Sequence, residues 1–284
     1  MTAPGAVLVL GATGTTGGRV ASRLAAEGHR VKAAGRRATP VEGAEAVRFD
    51  WHDPTTYAQA LSGADRVYLI APLDSATPAD VMLPFLEQAR ASGVRRAVLL
   101  SSSAISAGGP AVGQVHRALP GLFGEWAVLR PSWFMQNFTG DHMHARSIRE
   151  EGVILTAAGE GRVAFVDADD IAAVAVHALT DVRAPDTDLV ITGPQALNHT
   201  EVAAVLTEVT GRAVAHRPLA YEEMRDHLAA SMPLEYAEML AGMDRSNAAG
   251  AEDRTTDTVR RLTGRQPRSF RDHVAGAMPS PRAV

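Results

Sequence analysis

Short, almost continuous apolar runs recur along the first two thirds of the chain, each followed by a longer amphipathic stretch. Seven of these runs predict strands: Val7–Leu10, Arg30–Ala34, Ala46–Phe49, Arg66–Ile70, Ala97–Leu100, Trp126–Leu129 and Leu189–Thr192. Runs with so few polar positions are typical of strands that helices cover on both faces. The alternation of strand and helix therefore predicts a doubly wound α/β fold, with parallel strands and right-handed crossovers.

Amphipathic stretches between the runs predict helices, the clearest being Thr16–Glu27, Thr55–Leu61, Ala79–Ser92 and Thr139–Glu151. After about Gly193 the pattern changes, and short amphipathic segments replace the strands. The first of them is predicted to be a helix opened by Thr200 and closed by Gly211. We therefore expect a sheet domain over residues 1–195 and a smaller, mostly helical substrate-binding lid over residues 196–284.

The first strand ends in a glycine-rich loop, GATGTTG, which opens the first predicted helix. Glycine at every third position in this context is typical of a loop that holds a dinucleotide. Gly11 permits the tight turn, Gly14 lets the backbone approach a pyrophosphate, and Gly17 lets the helix pack on the sheet. The residues offered to the phosphates are Gly11, Thr13, Gly14, Thr15, Thr16 and Gly17. The alternative is a purely structural turn; a Walker loop is excluded because no Gly-Lys-Ser/Thr follows.

The end of the second strand indicates which dinucleotide is preferred. An NAD site usually has an acidic residue about 20 positions after the glycine loop, where it accepts from the ribose hydroxyls. This chain has Arg36 and Arg37 there instead. Guanidinium groups suit a 2′-phosphate by charge and bidentate geometry, so NADP(H) is the expected cofactor and NAD(H) the second choice. The alternative is that both arginines are solvated loop residues.

Three further strand ends extend the predicted cofactor site. The residues at these ends are Asp50, Trp51, Ala71, Pro72 and Ser102. The carboxyl ends of parallel strands line the ligand crevice beside the switch point of such a sheet. Asp50 is placed near the adenine, and the later strand ends are placed near the ribose and nicotinamide. The serines after the fifth strand have an alternative interpretation as ordinary turn residues.

Composition excludes several classes of function. The 284 residues carry a formal net charge of −4 with scattered arginines, which does not suggest a nucleic-acid surface. The absence of cysteine excludes disulfides, thiolate catalysis and cysteine-type zinc sites. We find neither a signal peptide nor an apolar stretch long enough to cross a membrane, so a cytoplasmic protein is expected.

Two polar segments invite other hypotheses. In DHMHAR, His142 and His144 are two positions apart, so on a helix they would point to different sides. No metal site is therefore predicted. In VDADDIAAV, Asp167 or Asp169 is expected to cap the helix that runs through His177, rather than to form a carboxylate cluster.

Six stretches together resemble the NmrA-like atypical short-chain dehydrogenases/reductases. They are VLGATGTTGG, FDWHDP, VYLIAP, RRAVLLSSSA, AVLRPSWFMQNF and VAFVDADDIAAVAV, spread over about residues 6–195. Within that group the chain is most similar to reductases of the ergot-alkaloid-biosynthesis type and the quinone oxidoreductase 2 type. The resemblance implies NADP(H) or NAD(H) on a Rossmann sheet, with substrate held between the sheet ends and a helical lid. Members reduce quinones, alkenes or iminium ions, and NmrA itself senses redox nucleotides without evident catalysis.

The Tyr-x-x-x-Lys pair of ordinary short-chain dehydrogenases is absent from this chain. Its single lysine, Lys32, lies inside the second predicted strand, and no tyrosine has a lysine four positions later. Related reductases often carry Lys or His at the start of the helix after the fifth strand, and His116 matches that position. His116 is therefore the candidate general acid or substrate anchor, with Arg117 second. The alternative is that His116 is a surface or helix-start residue.

Large apolar groups follow the sixth strand in the segment RPSWFMQNF. The candidate substrate-binding residues are Trp133, Phe134, Asn137 and Phe138. A flat aromatic ligand would stack on such side chains and be oriented by one or two polar groups. Phe134 and Phe138 are four positions apart, so the alternative is that they face the core; Trp133 is the preferred pocket residue.

These features predict an NADPH-dependent reductase of a conjugated aromatic small molecule, such as a quinone or an alkaloid or polyketide intermediate of secondary metabolism and antibiotic biosynthesis. Such substrates are strongly electrophilic, so hydride transfer depends on geometry more than on an acid. In one variant the reduced quinone reacts with oxygen, and the chain is the reductase half of a hydroxylating pair with a partner protein. The alternative from another class is a non-catalytic NAD(P) sensor of the NmrA kind. The sequence does not indicate an oligomeric state.

Overall fold

Nine strands form in the part of the chain that the computed structural model describes, which is residues 5–72, 75 and 77–278. They are β1 (Ala6–Leu10), β2 (Val31–Gly35), β3 (Glu45–Arg48), β4 (Ala64–Leu69), β5 (Arg96–Leu100), β6 (Glu125–Pro131), β7 (Val153–Thr156), β8 (Thr187–Ile191) and β9 (Ala215–Pro218). Seven of them form a parallel sheet in the order β3-β2-β1-β4-β5-β6-β8. The predicted doubly wound α/β fold is confirmed, with the switch point of the strand order between β1 and β4.

Helices connect these strands and make up most of the C-terminal part. They are α1 (Gly17–Ala26), α2 (Tyr57–Leu61), α3 (Ala79–Ala91), α4 (Gly113–Leu122), α5 (Met143–Glu151), α6 (Ala168–Thr180), α7 (His199–Thr210), α8 (Tyr221–Ala229), α9 (Leu234–Ala248), α10 (Thr258–Thr263) and α11 (Phe270–Ala277). Short 3-10 helices form at Pro54–Thr56 and Met135–Phe138. Among the described residues, no helix is both long and apolar enough to cross a membrane.

The chain packs as two compact units. The first takes its residues from Met1–Pro131, Ala168–Ile191 and Thr258–Arg265, and it contains the whole seven-stranded sheet. The second takes its residues from Ser132–Asp167, Thr192–Asp257 and Gln266–Val284, and it contains the parallel pair β7-β9. Residues 132–167, which the sequence placed in the sheet domain, thus pack within the second unit.

Each unit has a core of its own. In the first unit every residue of β1 is buried, as the continuous apolar run indicated. Aromatic rings at one end of this core pack edge to face or stacked, and they belong to Phe49, Trp51, Tyr57 and Phe85. In the second unit Phe138, Phe165 and Phe270 form the centre, with ring centroids 5.1 to 6.2 Å apart. Burial of such rings is a large part of what stabilises each unit.

The seven predicted strands of the sheet are all present, with ends displaced by one or two residues. The parallel pair β7-β9 was not predicted, because its strands have four residues each and β9 is mostly exposed. Helix α7 begins at His199 with Asn198 as its N-cap, so the prediction that Thr200 opens it is wrong. The Asn198 carboxamide accepts from the Glu201 N–H at 2.8 Å and the Glu201 carboxylate accepts from the Asn198 N–H at 3.0 Å, which forms a capping box.

Helix α5 also begins later than predicted. The expected start at Thr139 is replaced by a start at Met143, with the 3-10 helix Met135–Phe138 before it. His142 is the N-cap residue of α5, and its Nδ1 accepts from the backbone N–H of His144 at 3.2 Å. The side chain of His142 therefore satisfies a helix-end donor and lies outside the helix.

Candidate functional site

The glycine loop of the first unit forms a tight turn between β1 and α1. Gly11 has a φ of +62°, which an L side chain rarely adopts. A Cβ atom on Gly17 would lie 2.3 Å from the Gly11 carbonyl oxygen and 2.9 Å from that of Leu10. Only glycine therefore lets α1 start so close to β1, and this closeness aims the N-terminus of α1 at the loop. The Gly14 N–H donates to the Gly11 carbonyl at 2.8 Å and closes the turn.

The same loop leaves several hydrogen-bond donors without a partner. Within the described part of the chain, the backbone N–H groups of Thr13, Thr15 and Thr16 donate to no acceptor. Thr13 and Thr15 are exposed, whereas Thr16 is 2% exposed, so its hydroxyl is not open to a ligand. Free N–H groups at the positive end of a helix dipole are what a pyrophosphate requires, so these residues fit a dinucleotide.

Arg19 supports this loop and was missed by the sequence analysis. Its Nη1 donates to the Thr15 carbonyl oxygen at 2.7 Å, and its Nε donates to the Asp169 carboxylate at 3.2 Å. Arg23 lies 3.6 Å from the same carboxylate. Asp169 therefore lies at the start of α6 as an ion-pair partner of α1, a contact that sequence spacing does not reveal.

Arg36 and Arg37 follow β2 directly and are exposed. In the described residues neither guanidinium has a hydrogen-bond or ion-pair partner, in contrast to most arginines of the chain. Their backbone positions are fixed by a turn in which the Ala38 N–H donates to the Gly35 carbonyl at 3.2 Å. Two unpaired cations are thus held at the carboxyl end of β2, where a 2′-phosphate would bind.

The other predicted cofactor residues lie at strand ends, in different environments. The Asp50 carboxylate is half-buried and accepts from the His52 N–H at 3.0 Å. Trp51 is 9% exposed and lies among the aromatic rings of the core, with its indole N–H donating to the Ile70 carbonyl at 3.0 Å. Ala71 and Pro72 are half-buried. Of these four, Trp51 offers the least side-chain surface to a ligand.

The loop after β5 is held by an arginine that the sequence analysis did not single out. The Arg130 Nη2 donates to the Ser103 carbonyl at 2.9 Å, and its Nη1 pairs with Asp188 at 2.6 Å. The Ser102 hydroxyl accepts from the Ala104 N–H at 3.3 Å, which fits the alternative of a turn serine. Arg130 therefore fixes the backbone of the loop that follows β5 at the carboxyl edge of the sheet.

His116 lies on α4 and is 5% exposed. Its Nδ1 is buried and has no hydrogen-bond partner in the described part of the chain. Burial lowers the pKa of His116, the Asp188 carboxylate opposes that shift, and the Arg130 guanidinium adds to it. At neutral pH the ring is therefore uncharged, which suits an anchor better than an acid.

The remaining groups of the usual dehydrogenase pair serve structural roles. Lys32 is 4% exposed, and its Nζ donates to the carbonyl oxygens of Gln59 at 2.7 Å and Ser62 at 2.8 Å. The Tyr57 hydroxyl donates to the Trp51 carbonyl at 2.8 Å. Tyr68 is fully buried, and burial raises its pKa. None of these groups is available for the tyrosine–lysine mechanism.

The aromatic segment of the second unit divides into core and accessible residues. Phe138 is 1% exposed and stacks on His144, so the alternative that it faces the core describes its position, and it presents almost no surface to a substrate. Trp133, Phe134 and Asn137 are half-buried. The Val166 N–H donates to the Trp133 carbonyl at 2.9 Å, which anchors this segment. Trp133, Phe134 and Asn137 remain the candidates for contact with an aromatic ligand.

Four histidines lie side by side in the second unit. The ring centroids of His142 and His144 are 5.0 Å apart, those of His144 and His199 6.3 Å, and those of His199 and His216 5.4 Å. The prediction that His142 and His144 point to different sides is wrong, because His142 is an N-cap residue. Burial lowers the pKa of each ring, that of His199 to about 3. Among the described residues, no group of three or more His, Asp or Glu side chains is arranged to hold a metal.

Asp244 on α9 is a buried carboxyl in the same unit. It is 5% exposed, and burial raises its pKa to about 6, although its Oδ2 accepts from the Ala157 N–H at 2.9 Å. Because the folded protein favours the protonated carboxyl, the free energy of unfolding decreases as the pH rises from about 4 to above 6.

We expect Asp244→Asn to remove this pH dependence. The carboxamide oxygen still accepts from Ala157, so the variant is more stable than the parent by about 2 kcal/mol at pH 8 and nearly equal to it at pH 4. Urea unfolding at several pH values measures the difference. Asp253→Asn, at an exposed carboxylate of the same unit, is the matched control and leaves the stability unchanged. Parallel pH profiles for parent and Asp244→Asn would contradict the assignment.

Comparison with known proteins agrees with this geometry. A family model described as NAD(P)H-binding matches residues 11–182, which is more than half of the chain. The chain belongs to this NAD(P)H-binding family. It is 43% identical over 270 residues to the uncharacterized oxidoreductase YesF of Bacillus subtilis, covering 95% of this chain and 94% of that one. It is 38% identical over 281 residues to agroclavine dehydrogenase of Claviceps fusiformis, covering 95% and 96%.

A solved structure shows the same fold around a bound cofactor. It is the NADPH-dependent quinone oxidoreductase of Escherichia coli in complex with NADPH, with a TM-score of 0.80, 23% identity, and coverage of 95% of this chain and 98% of that one. The expectation of an NAD(P)H-binding Rossmann-type fold is therefore confirmed, and the chain is an NAD(P)H-binding oxidoreductase.

Proposed function

We propose that this oxidoreductase uses NADPH to reduce a conjugated, polycyclic aromatic small molecule of secondary metabolism, of the quinone or alkaloid-iminium class. The observation that carries the proposal is the pair of exposed, unpartnered arginines, Arg36 and Arg37, directly after β2 of an NAD(P)H-binding sheet. Their charge and position suit the 2′-phosphate that distinguishes NADPH from NADH.

The substrate class is supported by the half-buried aromatic segment and by the names of relatives. Trp133 and Phe134 offer flat apolar surface, and Asn137 adds a donor and an acceptor beside it. Relatives that share more than a third of their residues with this chain are named agroclavine dehydrogenase and festuclavine synthase, and those names refer to clavine compounds. We therefore assign Trp133, Phe134 and Asn137 to the binding of a flat polycyclic ligand.

The main contribution of the protein to the proposed reaction is to orient the substrate and the cofactor. When bound, the nicotinamide supplies a hydride. A quinone or an iminium ion accepts hydride readily, so the absence of a tyrosine–lysine pair is compatible with turnover. The glycine loop and Arg36 and Arg37 hold the cofactor, and Arg130 fixes the loop of Ser102 and Ser103. The uncharged His116 is assigned as an anchor that hydrogen-bonds the substrate.

A variant of the proposal concerns the fate of the product. A hydroquinone made by this chain would be oxidised again by molecular oxygen, which yields the quinone and hydrogen peroxide. In a two-component hydroxylation pair, a partner protein would use the reduced substrate instead. Oxygen uptake that accompanies NADPH oxidation supports the variant, and equal rates under air and argon without oxygen uptake exclude it.

The test is stopped-flow absorbance at 340 nm with NADPH or NADH against naphthoquinones, anthraquinones and a cyclic iminium salt. We expect substrate-dependent loss of NADPH, and about tenfold higher KM in Trp133→Ala, because one stacked ring contributes about 1 to 2 kcal/mol. Tyr236→Ala, at an exposed aromatic residue of the same unit, leaves KM unchanged. Tight NADPH binding without turnover on any acceptor would contradict the proposed substrates and favour the sensor alternative.

A further inference from the structure

Three side chains of the second unit form a hydrogen-bonded line that the proposed function does not use. The Thr139 Oγ1 lies 2.8 Å from the His273 Nε2, and the His273 Nδ1 lies 2.9 Å from the Asp167 Oδ2. A hydroxyl, an imidazole and a carboxylate at these distances can move a proton along the line. The three residues come from distant parts of the sequence, the end of a 3-10 helix, α11 and the residue before α6.

The carboxylate end of this line is buried and held by several hydrogen bonds. Asp167 is 0% exposed and His273 is 5% exposed. Besides His273, Asp167 accepts from the Arg268 Nη1 at 3.0 Å and from the Gln136 Nε2 at 3.0 Å. A buried carboxylate that is held this firmly orients the imidazole ring and offsets the positive charge that the ring carries when protonated. Asp167 contacts His273 directly, and Arg268 pairs with the same carboxylate.

The hydroxyl end lies beside the proposed substrate contacts. Thr139 directly follows the 3-10 helix Met135–Phe138, which contains Asn137. Thr139 is half-buried, whereas His273 and Asp167 are buried. When Nε2 of His273 carries a proton, that proton is donated to Thr139 Oγ1. The hydroxyl hydrogen is then free to be donated to a ligand.

We propose that Thr139, His273 and Asp167 form a proton relay that delivers a proton to the reduced substrate. The proposal rests on the proposed function and identifies a proton donor for it. His116 is a poor rival for this role, because its ring is uncharged at neutral pH and its Nδ1 has no partner in the described part of the chain. Thr139 is the group that touches the substrate, and His273 and Asp167 act through it.

In the reduction of a quinone, NADPH supplies the hydride and Thr139 supplies the proton. The hydride adds with its electron pair, so the substrate is reduced by two electrons and one oxygen becomes negative. The O–H bond of Thr139 breaks as its proton passes to that oxygen, and Oγ1 takes the Nε2 proton of His273. The Nδ1–H stays hydrogen-bonded to Asp167, and solvent later returns a proton to the ring. NADPH is oxidised to NADP⁺, and the product is the hydroquinone.

An iminium ion provides an internal control for this chemistry. Its positive charge is cancelled by the hydride alone, so its reduction needs no proton. We expect Thr139→Val to lower kcat for 1,4-naphthoquinone by about 100-fold, the lower end of the range that general acid catalysis contributes. The same variant should reduce an iminium salt at the parent rate. Thr139→Ser keeps the hydroxyl and should restore quinone turnover to within about threefold.

A purely structural role gives a different result. If the line only fastens α11, Thr139→Val lowers the Tm and changes both substrates alike, which overturns the relay. Equal kcat for parent and Thr139→Val on the quinone overturns it as well. A parent enzyme that reduces neither substrate overturns the proposed function instead, and the relay is then decided by a measurement without substrate.

That measurement is the nitrogen-15 spectrum of histidine-labelled protein between pH 5 and pH 8, with His273→Gln used to assign the signals. The relay requires Nε2 of His273 to carry a proton in part of this range, with a resonance that shifts in Thr139→Val but not in Tyr236→Ala. An Nε2 that is unprotonated throughout overturns the relay whatever the substrate proves to be.

Discussion

Gly17→Ala is expected to weaken NADPH binding by about 100-fold or more and to lower the stability of the first unit. The added Cβ would lie 2.3 Å from the Gly11 carbonyl oxygen and 2.7 Å from its carbon, both of which are backbone atoms. Neither atom can move without opening the turn between β1 and α1. Overpacking of this kind costs about 1 to 3 kcal/mol or more, and the distorted loop loses its aimed N–H groups as well.

The measurement is a titration of the folded variant with NADPH, followed by nucleotide fluorescence, beside urea unfolding without nucleotide. Gly121→Ala is the matched control, because a Cβ there meets nothing within 4 Å and the residue is not left-handed. Cofactor affinity within threefold of the parent in Gly17→Ala would show that the close approach of α1 and β1 is not what shapes the phosphate site.

The double variant Arg36→Ala/Arg37→Ala is expected to lose NADPH affinity by about 100-fold while its NADH affinity stays within about threefold of the parent. A hydrogen bond to a charged group contributes about 1.5 to 3 kcal/mol, and a 2′-phosphate exists only on NADPH. Because both arginines lack protein partners in the described part of the chain, their removal breaks no contact that supports the fold. The loss should shrink at high salt, since the site is exposed.

Arg30→Ala is the control for this pair. It removes an exposed arginine directly before β2, at the opposite end of the same strand, and should leave both cofactors unaffected. Equal losses for NADPH and NADH in the double variant would mean that the arginines act on the common part of the dinucleotide. If the double variant loses affinity for neither cofactor, Arg36 and Arg37 are solvated loop residues that do not contact the dinucleotide.

The sheet could be predicted from the sequence because its central strands are buried over most of their length. Strand β1 has five buried residues in a row, whereas the edge strand β3 has one buried residue of four. The glycine motif could also be predicted, because the turn after β1 requires a positive φ at Gly11 and leaves no room for a Cβ atom at Gly17. The pair β7-β9 lacked such a signal, because β9 has polar residues at His216 and Arg217 and is mostly exposed, as a loop is.

The candidate site was only partly predictable, for a different reason. The contact of His273 with Thr139 joins residues 134 positions apart, and its contact with Asp167 joins residues 106 positions apart. The sequence predicted only that Asp167 or Asp169 caps the helix that runs through His177, a common use of an aspartate at a helix start. The start of the helix that carries His273 has a local basis, because the Ser269 hydroxyl accepts from the Asp272 N–H at 3.1 Å and caps α11.

The burial of Lys32 has a practical consequence for labelling. Its amine is occupied by two carbonyl oxygens, and the chain contains no other lysine and no cysteine. Acylating reagents therefore find no lysine side chain to modify while the first unit is folded, and maleimides find no thiol at all. A cysteine introduced at a chosen surface position would be the single thiol of the molecule. Fluorophores and crosslinkers could then be attached at one defined place, without first removing any native reactive group.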